Sequence, residues 1–146
     1  MKNILVTGGA GFIGTNFVYC MVNKGYNITV LDKLTYAGGR DNLEPLGNKI
    51  KLIVGDICDS SLVKESAKGI DCVIHFAAES HNTRSETDPD LFYKTNVAGT
   101  ETMLEASFSS GVKKFIHIST DEVYGSINEG YFAESDKHPG TRQATS

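Results

Sequence analysis

Apolar positions recur along the chain in five short runs: NILVT (residues 3–7), NITVL (27–31), IKLIV (50–54), DCVIHF (71–76) and KFIHIS (114–119). Most are continuous rather than alternating and rich in β-branched residues, the pattern of strands covered on both faces. Between them the period changes. Phe12, Ile13, Phe17, Val18 and Met21 fall on neighbouring faces at helical spacing, and Gly25 follows as a stop. The stretch TDPDLFYKTNVAGTETMLEAS carries the clearest helix start. Asp88 is placed to cap, Pro89 suits the first helical position because its missing N–H costs nothing there, and Asp90 favours the positive end of the dipole. Gly111 closes that helix before the fifth run. Strand and helix thus alternate, which predicts a parallel sheet with helices on both faces, joined by right-handed crossovers.

At 146 residues the chain amounts to a single domain, residues 1–146, with enough apolar sequence to bury a core. The net charge of −4 and the scatter of the basic residues exclude an electrostatic footprint for nucleic acid or anionic lipid, and point to small-molecule chemistry. Cys20, Cys58 and Cys72 are odd in number, follow no CxxC spacing and sit among apolar neighbours. They read as buried free thiols in a reducing compartment, with no metal or disulfide role. The start, MKNILVTGGAGFIG, turns glycine-rich before a signal-peptide core could form, and no segment approaches a membrane span, so a cytoplasmic protein is expected.

The chemistry begins where the first run ends. TGGAGFIG places Gly8, Gly11 and Gly14 at GxxGxxG spacing, between a strand and a helix. In that setting glycines allow a tight turn, close backbone approach to a pyrophosphate and tight helix packing, while the helix N-terminus faces the diphosphate. The expected fold class is therefore α/β, a Rossmann-type doubly wound parallel sheet. Asp32 ends the second run, where a carboxylate can accept hydrogen bonds from both adenosine ribose hydroxyls and repel a 2′-phosphate; this favours NAD over NADP. Lys33 beside it works in the opposite direction, since a basic neighbour offsets part of that repulsion. GDI at residues 55–57 puts an Asp and an apolar side chain where they could bracket adenine, and the small residues of HFAAES (75–80) would admit the far half of the cofactor. His75 and His117, inside apolar strands, read as packed structural histidines. At the end of the fifth run Asp121 and Glu122 stand side by side, a pairing that in isolation reads as loop punctuation in water.

Taken together, VTGGAGFIG, DKLTYAG, GDI, HFAAESH, TNVAGT and STDEVYG resemble the extended short-chain dehydrogenase/reductases, and within them the nucleotide-sugar 4,6-dehydratases, from the start to about Asp136. The resemblance implies an NAD-dependent lyase that oxidises the sugar C4 hydroxyl, eliminates water across C5 and C6, and returns the hydride to C6. It implies Glu122 as the base at C5 and Asp121 as the acid for the C6 hydroxyl, two adjacent carboxylates whose separated pKa values divide the labour. Thr120 and Ser80 would hold substrate, a nucleotide sugar with dTDP-glucose foremost. Gly8, Gly11, Phe12, Ile13 and Gly14 would line the phosphates; Asp32, Lys33, Leu34 and Thr35 the adenosine ribose; Asp56 and Ile57 the adenine. Phe76, Ala77, Ala78, Glu79 and Ser80 would line the nicotinamide end, with Thr95 the last cofactor contact. The family also implies a homodimer through two long helices, one of them starting near Pro89.

Three features depart from that family. The Tyr-x-x-x-Lys pair that takes the C4 hydroxyl proton has no counterpart: Tyr124, Tyr131 and Tyr19 are followed four positions on by Asn128, Ser135 and Asn23. In the family the pair lies downstream of the Thr-Asp-Glu segment, as does a sugar-nucleotide domain, so the 146 residues by themselves are expected to be inactive. The end, HPGTRQATS, is polar and differs from the family's run, as in a truncation or a frame-shifted end, and HNTRS (81–85) stands where relatives carry HVDRS. Two rival readings remain open at this point: an epimerase or decarboxylase of another nucleotide sugar, and a non-catalytic dinucleotide-binding module.

Overall fold

The five apolar runs form five strands: β1 (Asn3–Thr7), β2 (Asn27–Asp32), β3 (Ile50–Val54), β4 (Cys72–His75) and β5 (Lys114–His117). All pair in parallel, in the spatial order β3-β2-β1-β4-β5. The computed structural model describes residues 2–80, 88–125 and 127–136, and for Asp121 the backbone alone. In register, Thr7 lies between Leu31 and His75, so the ends of β2, β1 and β4 open onto one edge. The order reverses direction at β1, the switch point at which open parallel sheets bind ligands.

The central strands β1, β2 and β4 bury both faces because alternate side chains point to opposite sides, whereas the edge strands β3 and β5 remain partly exposed. Ile4, Val6, Ile28, Val30, Cys72 and Ile74 pack on one face with Val18 of α1 (Phe12–Asn23). Leu5, Leu31 and Val73 pack on the other with Val63 of α2 (Ser60–Ser66) and with Met103 and Ala106 of α4 (Thr100–Ser109). Each such fully buried aliphatic side chain contributes about 1.5–3 kcal/mol, so the central strands anchor the edge on which the site is built.

Helix signals behave as the chemistry requires. Asp59 caps α2 by accepting from the Leu62 N–H at 3.0 Å. Asp88 caps α3 (Pro89–Phe92) by accepting from the Leu91 N–H at 3.1 Å, with Pro89 at the first position. The helix expected to run unbroken to Gly111 instead passes through a π-helical stretch, Tyr93–Gly99, before α4. One extra residue per turn there lets Asn96 reach sideways and brings Gly99 against Ile57, where an added Cβ would lie 2.6 Å from the Ile57 Cδ1.

Strand ends shift by one or two residues from the expectation. β2 extends to Asp32, whereas β4 omits Asp71 and Phe76 and β5 stops before Ile118. Asp71 leaves the ladder because its carboxylate accepts the Lys2 and Asn3 amides, at 2.8 and 3.1 Å, and pairs with Lys113 at 3.2 Å. Among the thiols only Cys72 is buried; Cys58 is half-buried and Cys20 exposed on α1, because the outward face of a one-sided helix includes position 20. All three are free.

Candidate functional site

The loop after β1 closes on itself through its own amides. Gly8 takes a positive φ of 67°, its N–H donates to the Leu31 carbonyl at 3.0 Å, and its own carbonyl receives the Gly11 N–H at 3.2 Å. Thr15 ties the far side by donating its hydroxyl to the Gly9 carbonyl at 3.1 Å. Space around the loop is exhausted. A Cβ on Gly8 would lie 2.7 Å from the Ala77 nitrogen, and one on Gly14 would run into the Gly8 carbonyl oxygen. Helix α1 then starts at Gly11 with no side-chain cap and no acid in its first turn, while Phe12 and Ile13 are 85% and 64% exposed. Its first amides therefore remain available to an external acceptor, with the positive end of the helix dipole behind them. This glycine cradle fits a diphosphate.

Asp32 is buried at the end of β2 and serves that same loop. Its Oδ2 accepts the Ala10 N–H at 2.9 Å and its Oδ1 the Leu34 N–H at 2.8 Å, the latter holding Leu34 at a positive φ of 54°. One acceptor position per oxygen remains for a ribose hydroxyl. The Ala10 carbonyl receives the Asn42 amide at 2.9 Å, and Gly11 pairs with Gly38, so the segment after β2 is laced to the glycine loop. Thr35 is exposed on that segment.

Lys33 reaches across to the loop after β3. Its Nζ is 2.7 Å from Oδ2 of Asp56, just past β3, whose other oxygen accepts the Cys58 N–H at 2.9 Å. The hydrogen bond to Asp56 raises the Lys33 pKa; Asp56, despite the opposing effect of burial, is held below its usual value by Lys33 and the Cys58 amide. Ile57 is 5% exposed and packs in the core against Gly99.

The segment after β4 is positioned by two polar devices. Thr7 Oγ1 accepts the Ala77 N–H at 3.3 Å and lies 2.6 Å from Nδ1 of His75, whose Nε2 lies 3.1 Å from Thr100 Oγ1 on α4. Burial first, and the stacked His117 ring second, push the His75 pKa down to about 4, so a neutral imidazole links strand, loop and helix. Farther along, Asn96 grips the Glu79 backbone at both ends, accepting its N–H at 2.8 Å and donating to its carbonyl at 2.9 Å. Phe76 packs on Phe17, Ala78 and Ser80 are exposed, and Glu79 Oε2 receives the Tyr36 hydroxyl at 3.2 Å. That last bond joins the loops after β2 and β4 over the end of β1. Thr95 is half-buried on the π stretch.

Beyond β5, Thr120 caps the 3₁₀ turn Asp121–Tyr124, its hydroxyl accepting the Glu122 N–H at 3.3 Å, and Gly125 ends the turn at a φ of 79°. Glu122 is exposed on the same sheet edge as residues 76–80, since Ile118 donates to the His75 carbonyl at 3.0 Å and keeps the two exits adjacent. The Asp121 side chain and the HNTRS stretch, 81–85, lie outside the described residues, as does the polar end from 137 on. Asn96, Asn42 and the Tyr36–Glu79 pair escaped the sequence reading. Asn96 lies in TNVAGT among other polar residues, and neither it nor Asn42 carried a distinguishing signal.

The family model for the NAD dependent epimerase/dehydratase family matches residues 4–144. The chain belongs to the NAD dependent epimerase/dehydratase family. Within it, the chain is 48% identical over 139 residues to a dTDP-glucose 4,6-dehydratase of Streptomyces niveus, covering 90% of this chain and 41% of that protein. Its fold matches DesIV, a dTDP-glucose 4,6-dehydratase from Streptomyces venezuelae crystallised with NAD, at a TM-score of 0.89 and 44% identity over 94% of this chain and 45% of that one. A UDP-glucose 4-epimerase from Brucella ovis in complex with NAD matches at a TM-score of 0.84 and 30% identity, over 94% and 42%. The chain thus spans less than half the length of the family members it matches. Among the described residues no helix is long and apolar enough to cross a membrane, and no group of ligating side chains could hold a metal ion.

Proposed function

We propose that these residues form the NAD-binding part of a dTDP-glucose 4,6-dehydratase, and that the complete enzyme converts the nucleotide glucose to its 4-keto-6-deoxy product. The carrying observation is the glycine cradle joined to Asp32, with the Thr120-capped acidic turn on the same edge. NAD, when bound, supplies a hydride acceptor and returns the hydride later. The chain's own residues do the rest. Amides at the start of α1 neutralise the diphosphate; Asp32 accepts the ribose hydroxyls while steadying the loop; Ala77, Ala78 and Ser80, on a segment pinned by Asn96 and Thr7, present small side chains to the nicotinamide. Glu122 takes the C5 proton, Asp121 delivers a proton to the departing C6 hydroxyl, and Thr120 and Ser80 orient the sugar.

Three further elements belong to this proposal: the Tyr-x-x-x-Lys pair for the C4 hydroxyl comes from outside these residues, the protein works in the cytoplasm, and two copies pair through two long helices, one of them the helical run that starts at Pro89. Tyr93, Val97, Leu104 and Phe108 form the exposed apolar stripe that such a dimer would cover. The epimerase reading draws on the Brucella likeness, but only the dehydratase reaction needs both an acid and a base at C5 and C6. The test has two arms. Titration calorimetry with NAD+ must show binding; and in a catalytic chain that joins these residues to the Tyr-x-x-x-Lys pair, mass spectrometry must show loss of water from dTDP-glucose, with Glu122→Gln abolishing it. A product of unchanged mass removes the dehydratase assignment.

A further inference from the structure

We propose that Asp56 sets the preference for NAD+ over NADP+ by holding Lys33, keeping the ammonium beside the ribose acid out of reach of a 2′-phosphate. The inference rests on the proposed NAD site and goes one step deeper into it. Lys33 directly follows Asp32 at the end of β2, where a basic side chain would ordinarily complement a phosphate on the adenosine ribose. Here the neighbouring strand intervenes. Asp32 and Val54 are paired in register, so the two chains leave the sheet together and Asp56 emerges beside Lys33. The 2.7 Å contact ties Nζ to Oδ2, and the Cys58 amide at 2.9 Å fixes the other carboxylate oxygen, so the acceptor is itself positioned. Asp32 meanwhile keeps its charge at the ribose position, both oxygens oriented by the Ala10 and Leu34 amides. A 2′-phosphate would meet one fixed carboxylate and a lysine already neutralised by another. Arg40, exposed at the start of a short 3₁₀ turn, is common to every variant below and cancels in the comparison.

The test measures NAD+ and NADP+ dissociation constants by titration calorimetry for the wild type, Asp56→Asn, Lys33→Met and the double variant. Asn retains an acceptor for the Cys58 amide while removing the charge. Releasing one partly exposed ammonium towards a phosphate is worth about a three- to tenfold rise in relative NADP+ affinity. Asp56→Asn should show that rise, Lys33→Met should leave the ratio within about twofold of wild type, and the double variant should return to the wild-type ratio. An unchanged ratio in Asp56→Asn overturns the proposal. So does a double variant as relaxed as Asp56→Asn, which would mean that Asp56 repels the phosphate directly. Wild-type protein that gives no heat with NAD+ removes the NAD site itself, whereas binding with flat ratios removes only the role of Asp56.

Discussion

The neutral histidine beneath the glycine loop makes stability depend on pH in a defined window. His75 is fully buried, its ring nitrogens lie 2.6 and 3.1 Å from the hydroxyls of Thr7 and Thr100, and burial followed by the neighbouring His117 lowers its pKa from 6.5 to about 4. Between those two values the unfolded chain binds a proton that the folded chain refuses, so stability falls as the pH drops from 6.5 towards 4. Below about pH 4 both states are protonated and this group contributes no further change. The full window corresponds to about 3 kcal/mol, and the part between pH 7 and pH 5 to about 2 kcal/mol. Urea unfolding followed by circular dichroism at the two pH values measures it, with a constant slope against denaturant certifying that the compared states are the same. His75→Gln, which cannot titrate, should be less stable at pH 7 but should lose about 2 kcal/mol less than wild type on going to pH 5. Equal losses in wild type and variant would refute the argument, as would an NMR titration that finds the folded His75 pKa near 6.5.

Other expectations follow from the same contacts. Gly14→Ala should destabilise the chain by about 1–3 kcal/mol and abolish NAD+ binding, because its Cβ meets backbone that cannot yield, whereas Gly11→Ala, whose nearest contact is an ordinary 3.4 Å, should keep the fold; thermal melts and calorimetry read both. Asn96→Ala should cost about 2 kcal/mol and speed hydrogen exchange at the Glu79 amide, and unchanged exchange would remove Asn96 as the clamp. Asp71, whose carboxyl the Lys2 and Asn3 amides and Lys113 hold well below the usual carboxylate range, contributes stability that is present above pH 3.8 and lost as the pH falls below it. Asp71→Asn should therefore flatten the most acidic limb of the stability curve and leave the window of His75 intact.

Much of this was legible in the amino-acid sequence. Continuous β-branched runs identify buried parallel strands because no solvated face interrupts them, and Asp88-Pro89 marks a helix start through local hydrogen bonding alone. The glycines of the first crossover were readable in part for the same reason: the positive φ of Gly8 and the contact of Gly14 with Gly8 are backbone demands met within a few residues, although Ala77 crowds Gly8 from the fourth strand's end. Signals that act over short sequence distance survive in a one-dimensional pattern.

What the chain's order could not disclose is which polar groups spend their valence on one another. Asp32 was visible as a ribose acid, but its service to Ala10 and Leu34 required the fold of the loop around it. Lys33 remained ambiguous in sequence, and 23 residues separate it from the Asp56 that settles its direction. Asn96 finds its partner in the Glu79 backbone, 17 residues earlier, and His75 owes its neutrality to burial and to His117 on another strand, while hydroxyls on β1 and α4 hold its ring. Composition and periodicity therefore determined the strands, the layers and the glycine loop, since each depends on near neighbours and on burying apolar surface. Tertiary structure alone decided the partners of the buried and half-buried polar groups, because a hydrogen bond is directional and short, and only the folded arrangement brings distant donors within its reach.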